Sequence, residues 1–150
     1  MALGWKVVID STNAPVLADF WAAALGYEVE DPSALIESLL AAGRVGEDAV
    51  TEHHGRRTFR GYAAIRHPED PFDATSGIGQ GRRLLFQQVP ESKSGKNRLH
   101  LDVHSEPGGR DALVTRLEEL GATRFREVDE GPAGHWWVMQ DPEGNEFCVA

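Results

Sequence analysis

The chain has 150 residues, and a chain of this length buries roughly 68–70% of its unfolded surface, enough for a hydrophobic core without staples. Its single cysteine excludes an internal disulfide, and its formal net charge of −9 argues against nucleic acid as a partner, because phosphate backbones are bound by clustered Lys and Arg. The opening MALGWKVVID lacks a basic, apolar leader pattern, and no stretch is apolar enough to cross a bilayer, so a cytoplasmic location with no membrane contact is expected.

The first element is a β-branched run from Trp5 to Asp10. Ser11, Thr12 and Asn13 then supply capping chemistry, and Ala14 and Pro15 open a helix carrying Leu17, Phe20, Trp21, Ala24 and Leu25 at helical spacing. Gly26 is placed to end it, and Tyr27 to Glu30 reads as a second strand. Asp31 and Pro32 read as a cap and first helical position for a short amphipathic helix with Leu35, Ile36, Leu39 and Leu40, ending at Gly43. VTEHH, a turn at Gly55 and RRTFRGYAAI follow. The segment from His67 to Gly81 is rich in Pro, Asp, Ser and Gly and reads as a surface connection or a site cover, before a strand from Leu84 to Val89.

The same rhythm restarts at Asn97. In NRLHLDVH, Leu99, Leu101 and Val103 alternate with Arg98, His100, Asp102 and His104, as in a strand with one buried face. A turn from Glu106 to Gly109 leads to a helix with Leu113, Val114, Leu117 and Leu120, stopped by Gly121, and Ala122 to Val128 is again strand-like. Near the end, Asp141-Pro142-Glu143-Gly144 fits a type I turn. These readings predict one domain of two modules, residues 1–94 and 95–150, with residues 31–81 inserted in the first. Each module's helix must cover one sheet face and leave the other free.

Three stretches, NAPVLADFWAAALGYEV, NRLHLDVH and WWVMQDPEGNEFCV, occur in an order that resembles the vicinal oxygen chelate superfamily, in its glyoxalase-like and bleomycin-resistance-like subgroup. The resemblance implies an α+β fold of paired βαβββ modules curled around a shared cleft, a homodimer, and a small organic ligand. Metal-bearing members take His, Gln or Glu ligands from the first and last strand of each module. Carried over, those places are Lys6, Gln87, Arg98 and Cys148. Lys and Arg carry positive charge that repels a divalent cation, so no metal or other cofactor is expected, with a divalent metal as the less favoured alternative. A shift of two residues would bring His100 together with Gln87 and Cys148 as an incomplete zinc set.

By alternation Arg98, His100 and Asp102 line the cleft from one strand, and Glu146 and Cys148 line it from the last. His100 suits a general acid or base, with Glu146 as a second proton carrier, or is a structural histidine bonded to neighbouring strands. Arg98, Asp102, Gln87, Trp137 and Cys148 are the candidate ligand contacts. Cys148 is a nucleophile only if a cation stabilises its thiolate, and otherwise a small buried hydrophobe. Trp136 and Trp137 face opposite ways, so one packs in the core and the other reaches the cleft. Adjacent His53 and His54 would point apart on a strand, which makes them a weak metal signal. GIGQG precedes a strand where a phosphate loop requires a helix. Two functions follow as expectations: a metal-independent small-molecule binder, or a lyase or isomerase using His100 as general acid or base, with or without a divalent metal.

Overall fold

In a computed structural model describing residues 1–150, the chain divides into two units, Met1–Pro90 and Glu91–Ala150. Unit one runs β1 (Val7–Ser11), α1 (Ala14–Leu25), β2 (Glu28–Val29), α2 (Ser33–Ala41), β3 (Val50–His53), β4 (Arg56–Phe59), β5 (Tyr62–Arg66) and β6 (Arg83–Gln88). Its sheet has the order β1-β6-β5-β2 with β1 and β6 parallel, while β3 and β4 form a separate hairpin. Unit two runs β7 (Asp102–Val103), α3 (Arg110–Glu119), β8 (Thr123–Asp129), β9 (His135–Gln140) and β10 (Glu146–Val149). Its order is β7-β10-β9-β8 with β7 and β10 parallel, the same winding as in unit one. The architecture is therefore α+β, with paired βαβββ modules.

Helix α1 forms where the apolar spacing predicts it, and its buried Leu17, Trp21 and Ala24 face β5 and β6. Gly26 ends it in the left-handed region (φ 69°), which lets the Tyr27 N–H reach the Ala22 carbonyl at 2.9 Å. Trp21, Ile65 and Phe86 are almost wholly buried in this core, and each such side chain stabilises the fold by about 1.5–3 kcal/mol. In unit two, Val114 and Leu117 of α3 are buried together with Met139, Phe147 and Val149. The type I turn is present: the Gly144 N–H donates to the Asp141 carbonyl at 2.9 Å. The buried Asp141 carboxylate accepts the N–H groups of Glu143 and Asn145 at 2.9 and 3.0 Å, which fixes the register of the closing hairpin.

Three expectations change. Of NRLHLDVH only Asp102 and Val103 enter a ladder, and Leu99, expected inside, is 89% exposed. Extending the pairing of Asp102 with Cys148 backwards brings residues 97–99 level with the 141–145 turn, where no strand is available to pair. Segment 31–81, set aside as an insertion, contains β5, which occupies an interior place in the first sheet. Helix α2 starts at Ser33 in place of Pro32, with the Asp31 carboxylate accepting the Ser33 N–H at 3.0 Å.

Candidate functional site

Register decides which side chains of the first sheet face away from α1. Ile65 is level with Leu84 and Ala63 with Phe86 on the side α1 packs against, so Tyr62, Ala64, Leu85 and Gln87 face the other way. Val8 and Asp10 join that face, level with Leu85 and Gln87, and Lys6 stands at the end of the same alternating row. Against this face lies a cavity of about 450 Å3, lined by Ala64 and Leu85 from the sheet, Leu35 from α2, Phe59 from β4 and Ile78 from the 67–81 connection. The volume falls within the roughly 300–1,000 Å3 of small-molecule sites. In a chain of net charge −9, the lining is locally basic, with Lys6, Arg56, Arg57, Arg60 and Arg83 against Glu30 and Asp31.

Most of these cations are engaged. Arg83 grips Glu30 through two parallel hydrogen bonds of 2.8 and 2.7 Å, and Glu30 also accepts the Gly79 N–H at 2.8 Å. Arg56 lies 3.3 Å from Asp31, and Arg57 reaches Glu37 and Glu47. Hydrogen bonds from Ser33, opposed by burial and helped by Arg56, hold the Asp31 carboxyl below its ordinary value. Arg60 donates to the Asp48 and Val50 carbonyls at 2.9 and 2.8 Å, so no carboxylate cancels its charge. Lys6 is exposed at the cavity with no hydrogen-bond or ion-pair partner.

The 67–81 connection is a built wall. Arg82 holds Asp70 in a fork of 3.0 and 2.7 Å, and these hydrogen bonds keep the Asp70 carboxyl well below its ordinary value. The glycines of GIGQG mark close backbone approach: a Cβ on Gly77 (φ +75°) would meet the Asp31 carbonyl oxygen at 2.3 Å, and one on Gly79 the Arg66 Cβ at 2.8 Å.

In unit two, Cys148 is level with Asp102 on β7 and Val138 on β9, and Arg126 is level with Val138 on the same face. Burial, then the charge of Asp102 and a hydrogen bond to it, push the thiol up against the opposite pull of Lys96 and Arg126. At neutral pH Cys148 is therefore a thiol, a poor nucleophile. His100 Nε2 lies 3.3 Å from Asp102 Oδ1, and donor atoms of His100, Asp102 and Cys148 lie within 4.8 Å of one another, so this trio could hold a metal. Arg98 is exposed, and its side chain makes no polar contact.

Glu146 is occupied by structure. Its carboxylate takes Lys93 Nζ at 3.1 Å and the Asn97 N–H at 3.0 Å. Burial opposes its charge, but the Asn97 and Glu146 N–H groups and Lys93 outweigh it, and its pKa is lowered. Trp137, expected in the cleft, is level with the fully buried Val149, and the Arg124 guanidinium lies 5.1 Å from its ring. Arg124 in turn pairs with Glu118 of α3 at 2.9 Å, so Trp137 belongs to the helix-covered side. It is Trp136 that shares the face of Cys148, because alternation along β9 runs through Trp136 and Val138.

A glyoxalase-like domain model matches residues 6–150. The chain belongs to the glyoxalase-like domain family. Solved structures of similar fold include the fosfomycin resistance protein FosX of Mesorhizobium loti, at TM-score 0.58 and 9% identity, covering 99% of this chain and 91% of that one. A glyoxalase/bleomycin resistance protein/dioxygenase family enzyme of Burkholderia phytofirmans aligns at TM-score 0.56 and 19% identity, covering 96% and 94%. The bleomycin-binding protein of Streptomyces verticillus, solved with copper(II)-bleomycin, aligns at 0.52 and 16%, covering 100% and 96%. No curated protein sequence matches the chain. No helix of this glyoxalase-like protein is long and apolar enough to cross a membrane.

The four places carried over from the resemblance correspond to one another between the two units. Lys6 and Arg98 each stand four residues before a carboxylate, Asp10 or Asp102, that is level with Gln87 or Cys148. Side chains that only donate hydrogen bonds hold two of the four places, so the set does not fit a divalent metal. Within unit two the structure brings His100, Asp102 and Cys148 together and leaves Arg98 apart; within unit one it places Gln87 on the open face, outside the cavity lining. Sequence reasoning missed the wall residues Leu35, Phe59, Arg60 and Ile78. The available signals were the apolar stripe of α2 and the alternate glycines of GIGQG.

Proposed function

We propose that this glyoxalase-like protein binds a small amphipathic organic anion in the cavity of unit one, with no metal at the family's ligand places. Apolar contacts along Leu35, Phe59 and Leu85 would hold the body of the ligand, and Lys6 would anchor its charge. The observation that carries this reading is the unpartnered Lys6 ammonium beside an apolar-walled cavity of about 450 Å3. A fold shared with a bleomycin-binding protein supports small-molecule binding as the class of activity. A homodimer is proposed with it, in which a second copy would cover exposed apolar side chains such as Trp5, Leu99 and Phe125.

The test is thermal unfolding with a panel of aryl and alkyl carboxylates, phosphonates and their neutral amides. A ligand at a hundred times its dissociation constant adds about 2.7 kcal/mol. Anions are expected to stabilise the protein more than matched neutral analogues, and Lys6→Met to weaken anions about tenfold or more, because a charged hydrogen bond contributes about 1.5–3 kcal/mol. Equal binding of anion and amide, or no loss in Lys6→Met, would sink the reading. A second reading, a lyase or isomerase with His100 as acid or base, draws support from the 3.3 Å contact of His100 with Asp102. Product analysis on each binding compound, repeated in His100→Gln, separates the two.

A further inference from the structure

On a regular strand His53 and His54 would point apart, yet here they converge. His53 is the last residue of β3, and His54 and Gly55 form the two-residue turn to β4 with φ of 50° and 73°. Positive φ at both central positions is the requirement of a type I′ hairpin turn. His54 is the chain's one non-glycine residue in that region, a position that Asn or Gly occupies more easily. The outcome is that both rings lie side by side, 4.0 Å between centroids, with each Nε2 2.7 Å from the same Oδ2 of Asp19 on α1.

We propose that Asp19, His53 and His54 form a site for a borderline divalent transition metal, such as Zn2+ or Ni2+, which clasps the β3–β4 hairpin to α1. Two imidazoles and one carboxylate are the donor types of three-ligand zinc sites, with further positions open to water. The three donor atoms already lie within 4.8 Å of one another. Bonds of about 2.0–2.1 Å in tetrahedral geometry set neighbouring donors about 3.3 Å apart, so each His–Asp contact must widen by about 0.6 Å. That is within reach of side-chain rotation at a partly exposed site. The next residues on β4 do not hold free positive charge against the metal, since Arg56 pairs with Asp31 and Arg57 with Glu37 and Glu47.

The site is distinct from the family's ligand places. It uses one helix residue and a hairpin, and none of Lys6, Gln87, Arg98 and Cys148 takes part. It does border the proposed ligand cavity, which His53 and His54 also line, along with Pro15, one helical turn before Asp19. Loading the site would hold the hairpin wall of that cavity in place. Metal binding itself requires no organic ligand, so its test stands apart from the test of the cavity.

The experiment is calorimetric titration of untagged, chelator-treated protein with Zn2+, followed by the spectrum of the Co2+-loaded form. Variants are chosen to preserve the fold: His54→Asn keeps a residue at ease in the turn, His53→Gln and Asp19→Asn keep hydrogen-bonding groups, and Cys148→Ser reports on the other cluster. Expected are one equivalent bound, at least a tenfold loss of affinity in each of the first three variants, unchanged binding in Cys148→Ser, and no thiolate-to-Co2+ charge-transfer band. No binding, binding that survives His54→Asn and Asp19→Asn, or binding lost in Cys148→Ser would each overturn the assignment.

Discussion

The two units share one sheet winding and differ in what joins the strands. In unit two, residues 130–134 join β8 to β9 and residues 141–145 join β9 to β10; the equivalent joins in unit one are residues 30–61 and 67–82. Those two long connections supply most of the cavity wall, Leu35 and Phe59 from the first and Ile78 from the second. Unit two, with short joins, instead carries its titratable cluster on the sheet face and the segment leading into it, as Cys148, Asp102 and His100. One frame thus offers two kinds of site: a walled space made by elaborating connections, and a chemical face made by substitution along strands.

If the connections make the unit-one site, cutting their anchors must damage it most. Arg83→Met leaves Glu30 charged and nearly buried, since the two side chains are 12% and 7% exposed. Losing one partner of a buried pair costs about 3–5 kcal/mol, and chemical denaturation is expected to show a loss of that size. Replacing both, in Glu30→Gln with Arg83→Met, is expected to recover much of it. A loss under about 1 kcal/mol, the size of a surface pair, would mean that the wall is anchored elsewhere and would break the contrast between the units.

A smaller effect is expected in unit two from Glu146→Gln, which loses the Lys93 ion pair but keeps an acceptor for the Asn97 N–H. A cost of about 1–2 kcal/mol at neutral pH fits a charge-assisted bond reduced to a neutral one. Because the folded pKa of Glu146 is lowered from its ordinary 4.5, its stabilisation is complete above that value and is lost as pH falls through the folded pKa. The gap between parent and variant in urea midpoints is therefore expected to close on acidification. Unit one keeps an acid-sensitive limb of its own, since Asp31, Asp70 and Asp73 are all lowered. A gap that stays constant with pH would show that Glu146 acts through packing.

The contrast between the units also explains what the sequence could show. Periodicity located α1 and α3, and turn chemistry placed the Asp141–Gly144 turn, because these follow from local rules that tertiary contacts here reinforce. Leu99 failed because alternation shows which face a strand would bury, but not whether a partner strand extends far enough to pair with it. Trp136 and Trp137 were separable as opposite faces, yet their assignment needed the pairing of Trp137 with Val149. His53 and His54 were read with strand alternation one residue beyond where the strand ends. The cavity was hidden in residues 31–81, where its walls come from α2, a hairpin and a glycine-spaced loop that no single period describes.

The smallest expected effect tests the unit-two face directly. Burial and Asp102 together keep Cys148 protonated, in that order of weight. Only the thiolate attacks iodoacetamide and displaces its iodide, so alkylation at neutral pH is expected to be slower than for a free cysteine. Asp102→Asn removes the opposing charge but not the burial, so the rate is expected to rise several-fold and still remain below that of the unfolded chain. The direction matters for function: a face arranged for thiolate chemistry would lose reactivity when a neighbouring group is neutralised, whereas this face should gain it. A rate that falls in Asp102→Asn would mean that Asp102 acts through His100, drawing imidazolium toward the sulfur, and would return Cys148 to the list of nucleophiles.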